Sequence, residues 1–185
     1  LVLLSCLLMA ETVFLQSQRN MPLSINVLDS NNDQTILELN FSSFEKKSVN
    51  IQGNEFNFIT LEKEGLMLDE GQPQLPFIGR SIIIPDNGKM NISVISSDYT
   101  DFQMAIAPSK GSLLRNVNPD DVAYTFSDTY QKNEFYPSNI ASLGDPYIMR
   151  DFRGITVGFK PFQYNPVTQT LRVYHNIKVR VSNTG

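Results

Sequence analysis

Alternation with a period of two residues is the feature that most restricts this chain. In "TLRVYHNIKVRVS" (Thr170 to Ser182), Leu171, Val173, His175, Ile177, Val179 and Val181 fall on one side, and Arg172, Tyr174, Asn176, Lys178 and Arg180 on the other. Successive side chains of a strand point to opposite faces, so this spacing specifies a strand with one face in a core. "QTILELNF" (Gln34 to Phe41) sets Leu37, Leu39 and Phe41 against Ile36, Glu38 and Asn40. "NEFNFITLE" (Asn54 to Glu62) sets Asn57, Ile59 and Leu61 against Phe56, Phe58 and Thr60, and "GITVGFKPF" (Gly154 to Phe162) has the same strand-like rhythm. No stretch carries a long apolar stripe at helical spacing. Many short strands with turn residues between them predict an all-β, antiparallel β-sandwich.

Turn chemistry refines this expectation. Asn87-Gly88 stands between "SIIIP" and "MNISVIS" and predicts a hairpin, because such pairs accept the positive φ angles of a tight turn. "YNPVTQT" (Tyr164 to Thr170) predicts a turn between the last two strands. "DSNNDQT" (Asp29 to Thr35) begins like a calcium loop but lacks its central glycine and closing glutamate, so it reads as an Asx-rich turn. The sequons at Asn40 and Asn91 both fall on predicted strands.

The chain has 185 residues, enough for one domain with its own core, and a formal net charge of -4. That balance excludes a basic footprint for nucleic acid. Leu1 to Ala10 is almost wholly apolar, too short to span a bilayer, which takes roughly 20 apolar residues. Residues 1–17 therefore read as a truncated secretory signal peptide, cleaved after Ala10 or near Ser17. Cys6 lies in that run, where "LLSC" loosely resembles a lipoprotein box, although a small residue in a signal segment is the plainer reading. Residues 18–185 form the folded domain.

The residue inventory argues against catalysis. There is one histidine and one cysteine. Cys6 belongs to the leader, so no Cys-His pair remains. His175 sits on an apolar strand face and reads as a packed residue, and zinc ligands are lacking. No cofactor is expected. Asp120 and Asp121 follow Asn-Pro and read as a solvated turn rather than paired acids.

One segment breaks the strand rhythm. Pro108 to Pro146 is long and polar, and connections of this length are usually functional or mobile. It contains part of "APSKGSLLRNVNPDD" (Ala107 to Asp121), in which Leu113, Leu114 and Arg115 stand together in a loop composition. The leucines either fold back on the core, leaving Arg115 solvated, or all three are presented to a partner. A rival use is a free-standing secreted β-sandwich binding module for carbohydrate or a surface partner, with the aromatics Tyr124, Phe126, Tyr130, Phe135 and Tyr136 lining a sugar platform.

"IAPSKG" (Ile106 to Gly111), Arg115, Asn116 and Pro119, "NEFYPSNIASLGDPYIMRDFRG" (Asn133 to Gly154) and "FQYNPVTQTLRVY" (Phe162 to Tyr174) together resemble the N-terminal propeptides of gingipains. These are secreted cysteine peptidases of the C25 family, and the likeness is closest to the arginine-specific members. Weaker similarity reaches back through "GQPQLPFIGRSIIIPD" (Gly71 to Asp86). The resemblance implies a β-sandwich prodomain that keeps the peptidase domain of the same precursor latent and assists its folding. It implies a loop lying across the active site, with Arg115 in the specificity pocket and Leu113, Leu114, Asn116, Pro119 and Asp120 flanking it. Lys110 is close enough to take that role in a lysine-specific relative. The resemblance further implies export to the bacterial cell surface, and Gly185 reads as the end of a fragment from which the peptidase domain is missing.

Overall fold

The computed structural model describes residues 10–15 and 23–185. Thirteen strands follow in order: β1 (Glu11–Phe14), β2 (Ser24–Ser30), β3 (Gln34–Asn40), β4 (Ser43–Ile51), β5 (Asn54–Thr60), β6 (Gly65–Leu66), β7 (Pro76–Ile83), β8 (Met90–Gln103), β9 (Ala141–Leu143), β10 (Tyr147–Met149), β11 (Phe152–Phe159), β12 (Phe162–Asn165) and β13 (Thr170–Asn183). Two short 3-10 turns, Pro119–Asp121 and Asp128–Gln131, lie between β8 and β9. All strand pairs are antiparallel, as the alternation predicts.

β13 organises the molecule. One of its edges pairs with β8 along almost its whole length, and the other carries β12 and then β3. The predicted inward face is buried at Leu171, Val173, Ile177, Val179 and Val181. His175, in phase with these residues, is not fully buried. It sits half-buried at a bulge where the β8 register shifts between Tyr174 and Asn176, and its carbonyl accepts the Phe41 N–H at 3.2 Å. In a second sheet β11 pairs with β7 on one edge and with β9 and β10 on the other, and a third sheet runs β1-β4-β5. Phe44 of β4 meets Phe102 of β8 and Phe162 of β12 edge to face, at centroid distances of 5.6 and 5.5 Å. Ile78, Val157 and Phe159 bring the β7–β11 sheet into the same core. Leu37, Leu39 and Phe41 of the β3 region, and Ile59 and Leu61 of the β5 region, are buried as their alternation requires.

The hairpin expected at Asn87-Gly88 does not form. Gly88 has the expected positive φ of +93°, but β7 pairs with β11 and β6 while β8 pairs with β13. Residues 84–89 carry the chain from one sheet to another. Ile84 is buried, its N–H donates to the Arg153 carbonyl, and the Arg153 guanidinium donates to the carbonyls of Pro85 and Gly88. Alternation assigns the faces of a strand but not its neighbour. The turn at Pro166 to Gln169 forms as expected, with Asn165 Oδ1 accepting the N–H groups of Val167 and Thr168. Asn31 Oδ1 likewise accepts from Asp33 and Gln34, an Asx turn.

Most of the expected leader, Cys6 included, lies outside the described residues. β1 falls within it and pairs with β4, and Leu15 is buried. Cleavage after Ala10 would keep this strand in the sheet; cleavage near Ser17 would remove it. Among the described residues no helix is long and apolar enough to cross a membrane, and no group of three or more His, Cys, Asp or Glu is placed to hold a metal ion.

Candidate functional site

The segment that breaks the strand rhythm is built in two parts, a tightly bonded stem and a projecting loop. Beyond β8 the chain threads between β5 and the stretch from Gly71 to Gln74. Asn57 N–H donates to the Ala105 carbonyl at 2.8 Å, and its side-chain amide donates to the same oxygen at 3.0 Å. Ala107 N–H returns a bond to the Asn57 carbonyl at 2.9 Å, and Gln74 N–H donates to the Ala107 carbonyl at 3.0 Å. Ser109 N–H donates to the Gln72 carbonyl at 2.8 Å. Ile106, Ala107 and Ser109 are fully buried, so this stem is part of the core. Tyr130 holds it from the far side, its hydroxyl donating to the Ile106 carbonyl at 2.9 Å. Burial, together with the neighbouring Tyr164, holds the Tyr130 phenol well above its ordinary range, so it remains a donor.

Gly71 closes the loop at its base. Its N–H donates to the Ser109 carbonyl at 2.9 Å on the outgoing strand, and its carbonyl accepts the Ser127 N–H at 3.0 Å on the returning one. A single residue therefore joins both ends of the loop from Lys110 to Phe126. Gly71 has φ +75°, and a Cβ there would lie 3.1 Å from Ser127 N and 3.4 Å from Thr125 Oγ1. Only glycine combines this backbone with so close an approach.

Inside the loop, Lys110 acts as a strut. Its Nζ donates to the Pro119 carbonyl at 2.7 Å and stands 4.2 Å from the Tyr124 ring centroid. Asn118 caps the 3-10 turn, its Oδ1 accepting the Asp120 N–H at 3.2 Å. Asp120 and Asp121 are exposed in that turn, as their sequence context predicts. Leu113 is half-buried and lines a shallow groove with Phe58, Gln74, Pro119, Asp120 and Tyr124.

The tip is different. Val117 N–H donates to the Leu114 carbonyl at 3.0 Å, closing a turn whose corners are Arg115 and Asn116. Leu114 is 73% exposed, and Arg115 and Asn116 are exposed with it. Arg115 has no hydrogen bond or ion pair among the described residues. Neither leucine joins the core cluster. The six residues singled out from sequence thus occupy one loop: Leu113, Pro119 and Asp120 along its groove, and Leu114, Arg115 and Asn116 at its tip.

The aromatic residues do not form a flat platform. Phe126 meets Tyr130 edge to face at 4.8 Å and tilts against Phe56 at 5.5 Å. Tyr124 packs on Phe58, Phe135 on the Arg172 guanidinium, and Tyr136 donates to Asp69. Each therefore has a partner within the domain, Tyr136 through its hydroxyl and the others through their rings. Sequence reasoning overlooked Gly71, Ser109 and Tyr130 as supports of the loop. An isolated glycine beside Gln-Pro signals a special backbone, but not which segments it joins.

These features can be set beside known proteins. The Propeptide_C25 family model matches residues 16–185. Gingipain R1 of Porphyromonas gingivalis is 46% identical over 124 residues, which is 66% of this chain and 12% of that protein. Gingipain R2 of the same species is 44% identical over 124 residues, 66% of this chain and 17% of that protein. The chain thus spans less than a fifth of these relatives' length. The structure of the complex of Porphyromonas gingivalis RgpB pro- and mature domains superposes with a TM-score of 0.83 at 34% identity, covering 87% of this chain and 85% of that one. A structure addressing the zymogenic latency of gingipain K from Porphyromonas gingivalis shares the fold, with a TM-score of 0.79 at 18% identity, covering 96% of this chain and all of that one. The chain belongs to the Propeptide_C25 family, the propeptides of C25 peptidases.

Proposed function

We propose that this domain is the prodomain of a gingipain-like cysteine endopeptidase and keeps the peptidase domain of its own precursor latent by placing the Leu113–Asn116 segment in the active site. It performs no catalysis itself, assists the folding of its partner, and is exported with it to the cell surface. The observation that carries this reading is the tip of the loop. Leu114 and Arg115 are exposed, Arg115 without a hydrogen bond or ion pair among the described residues, yet they stand on a base bonded into the core at Gly71 and Ser109. The braced backbone lowers the cost of ordering the loop on binding, and the cost of fixing the exposed side chains is met by the contacts they make in a receiving pocket.

Arginine suits the role chemically. The planar guanidinium forms a fork of charge-assisted hydrogen bonds with a carboxylate at the base of an arginine-specific pocket. Leu113 and Leu114 supply apolar contact beside it, the usual composition of a binding hot spot. Lys110, the other basic residue of the segment, is committed to Pro119 and Tyr124 within the loop, which favours Arg115 as the anchor. The internal packing of Tyr124, Phe126, Tyr130, Phe135 and Tyr136 speaks against the sugar-platform reading.

The test is inhibition of an arginine-specific C25 peptidase by the chain and by its Arg115→Ala variant. Loss of one buried charge-assisted pair costs about 2–5 kcal/mol, so the variant is expected to be weaker by roughly thirtyfold or more. Equal inhibition by both would remove Arg115 from the mechanism, and no inhibition by either would remove the latency reading.

A further inference from the structure

The arginines of this domain divide sharply by their surroundings. Arg80 is bidentate to Glu64, Arg153 reaches the carbonyls of Pro85 and Gly88, and Arg172 is bidentate to Asp101 between the rings of Tyr99 and Phe135. Arg180 is exposed, but it lies within β13 with β3 on one edge and β8 on the other. The two remaining described arginines, Arg115 and Arg150, are exposed on turns and have no hydrogen bond or ion pair among the described residues.

Both are set in the same side-chain pattern. Leu113-Leu114-Arg115-Asn116 and Ile148-Met149-Arg150-Asp151 each place two apolar residues before the arginine and an Asn or Asp after it. The exposure differs in extent: at the first turn Leu114 is 73% exposed while Leu113 is half-buried, and at the second both apolar residues face solvent, Ile148 71% and Met149 66% exposed.

The backbones beneath them differ. The Arg115 turn is braced by the Lys110 strut, the Asn118 cap and the Gly71 closure. The Arg150 turn is the tip of the β10–β11 hairpin, whose last pair, Met149 with Phe152, leaves only Arg150 and Asp151 in the loop. β10 is a three-residue edge strand whose outer side has no paired strand among the described residues. Arg150 has φ +55°, a left-handed conformation that disfavours a side chain, so opening the turn relieves strain. The hairpin is secured at its base, where the Tyr147 ring lies over Gly154 and Arg153 grips residues 85 and 88, but not at its tip. Exposed tips of this kind are the preferred sites of proteolytic nicking.

From this we infer that the Arg150–Asp151 bond is an arginine-directed cleavage site at which the partner peptidase opens its own prodomain. The inference rests on the reading above, that the partner is an arginine-specific peptidase. The braced Arg115 turn is built to be occupied, and the unbraced Arg150 turn to be cut. Hydrolysis breaks the C–N bond between Arg150 and Asp151. Water supplies the oxygen of the new Arg150 carboxyl group and the hydrogen of the new Asp151 amine. The cut separates the stretch carrying the inhibitory loop from β11, β12 and β13, including the strand on which β3 and β8 pair. The two pieces are then held only non-covalently, by packing and by the ladders that join β11 to β7 and β13 to β3 and β8, and the loop loses its covalent tie to the strand that organises the fold.

The experiment is limited proteolysis of the chain by an arginine-specific endopeptidase outside the C25 family, with the first cut located by intact mass. The same digestion is run on Arg150→Lys, Arg150→Gln and Arg115→Lys, each checked by thermal melting. Wild type is expected to give residues 1–150 and 151–185 first. The two Arg150 variants are expected to lose that cut and open at least about tenfold more slowly, whereas Arg115→Lys opens at the wild-type rate. A first cut at any other bond, or wild-type opening of Arg150 variants that melt like wild type, overturns the proposal. A second arm compares intact and nicked chain as inhibitors of an arginine-specific C25 peptidase; nicking is expected to weaken inhibition, and unchanged inhibition overturns the opening role. The latency reading is judged separately, on Arg115→Ala with intact chain, so either can fail alone.

Discussion

Replacing Gly71 by alanine tests whether the loop is held by the fold or merely attached to it. An L-residue in the left-handed region costs about 1–2 kcal/mol. The new Cβ would stand 3.1 Å from Ser127 N, a backbone atom that cannot swing aside as a side chain would. Relief requires the returning stem to move, and the Ser127 N–H to Gly71 carbonyl bond then lengthens or breaks. A backbone hydrogen bond contributes about 0.5–1.5 kcal/mol net. The sum is about 2–3 kcal/mol, which for a domain of this size lowers the melting temperature by roughly 4–12 °C. The domain should survive, because Gly71 lies outside the sheets and the core cluster. The loop should not keep its pose, and about 2 kcal/mol lost from a preorganised binding segment is roughly thirtyfold in affinity. Thermal unfolding and inhibition of an arginine-specific C25 peptidase would be measured on the same preparation. A melting temperature within a degree of wild type would refute the closure argument. The expected fall in stability with undiminished inhibition would show that the closure supports the fold but not the presentation of Arg115.

Two further outcomes are expected. The Glu64–Arg80 pair is asymmetric, with the Glu64 side chain 9% exposed and that of Arg80 41%; Arg80→Ala leaves a shielded carboxylate without its donor and should cost about 2–3 kcal/mol, whereas Glu64→Ala frees an arginine that can reach water and should cost less, as denaturant titration of both variants would show. Burial, with Asp69 alongside as charge and hydrogen-bond acceptor, raises the Tyr136 phenol to about 12. Its contribution is complete below the unfolded value near 10 and is lost as pH rises towards 12, because the unfolded chain ionises first. Tyr136→Phe should therefore show a shallower loss of stability between pH 9 and pH 11 than wild type, and identical slopes would exclude Tyr136 from the alkaline transition.

The sandwich was legible because its signal is local. The alternation at Gln34 to Phe41 and Thr170 to Ser182 names the buried face of each strand without reference to any other part of the chain, and the Asx turns at Asn31 and Asn165 are likewise decided within a few residues. The loop from Leu113 to Asp120 stood out for the same reason, as apolar residues in a turn-forming composition. Three things needed the tertiary structure. β7 and β8 parted into different sheets although a turn residue lies between them, since the partners of a strand are chosen across the chain. His175, in phase with the buried residues of β13, is only half-buried, at a shift in the β8 register. The freedom of Arg115, against the commitment of Lys110, became visible only once Gly71 was brought to the base of the loop from elsewhere in the chain and Tyr124 was folded back against Lys110. Side-chain period is a property of neighbouring residues, whereas pairing, closure and exposure depend on segments distant in sequence, and only the folded chain brings those together.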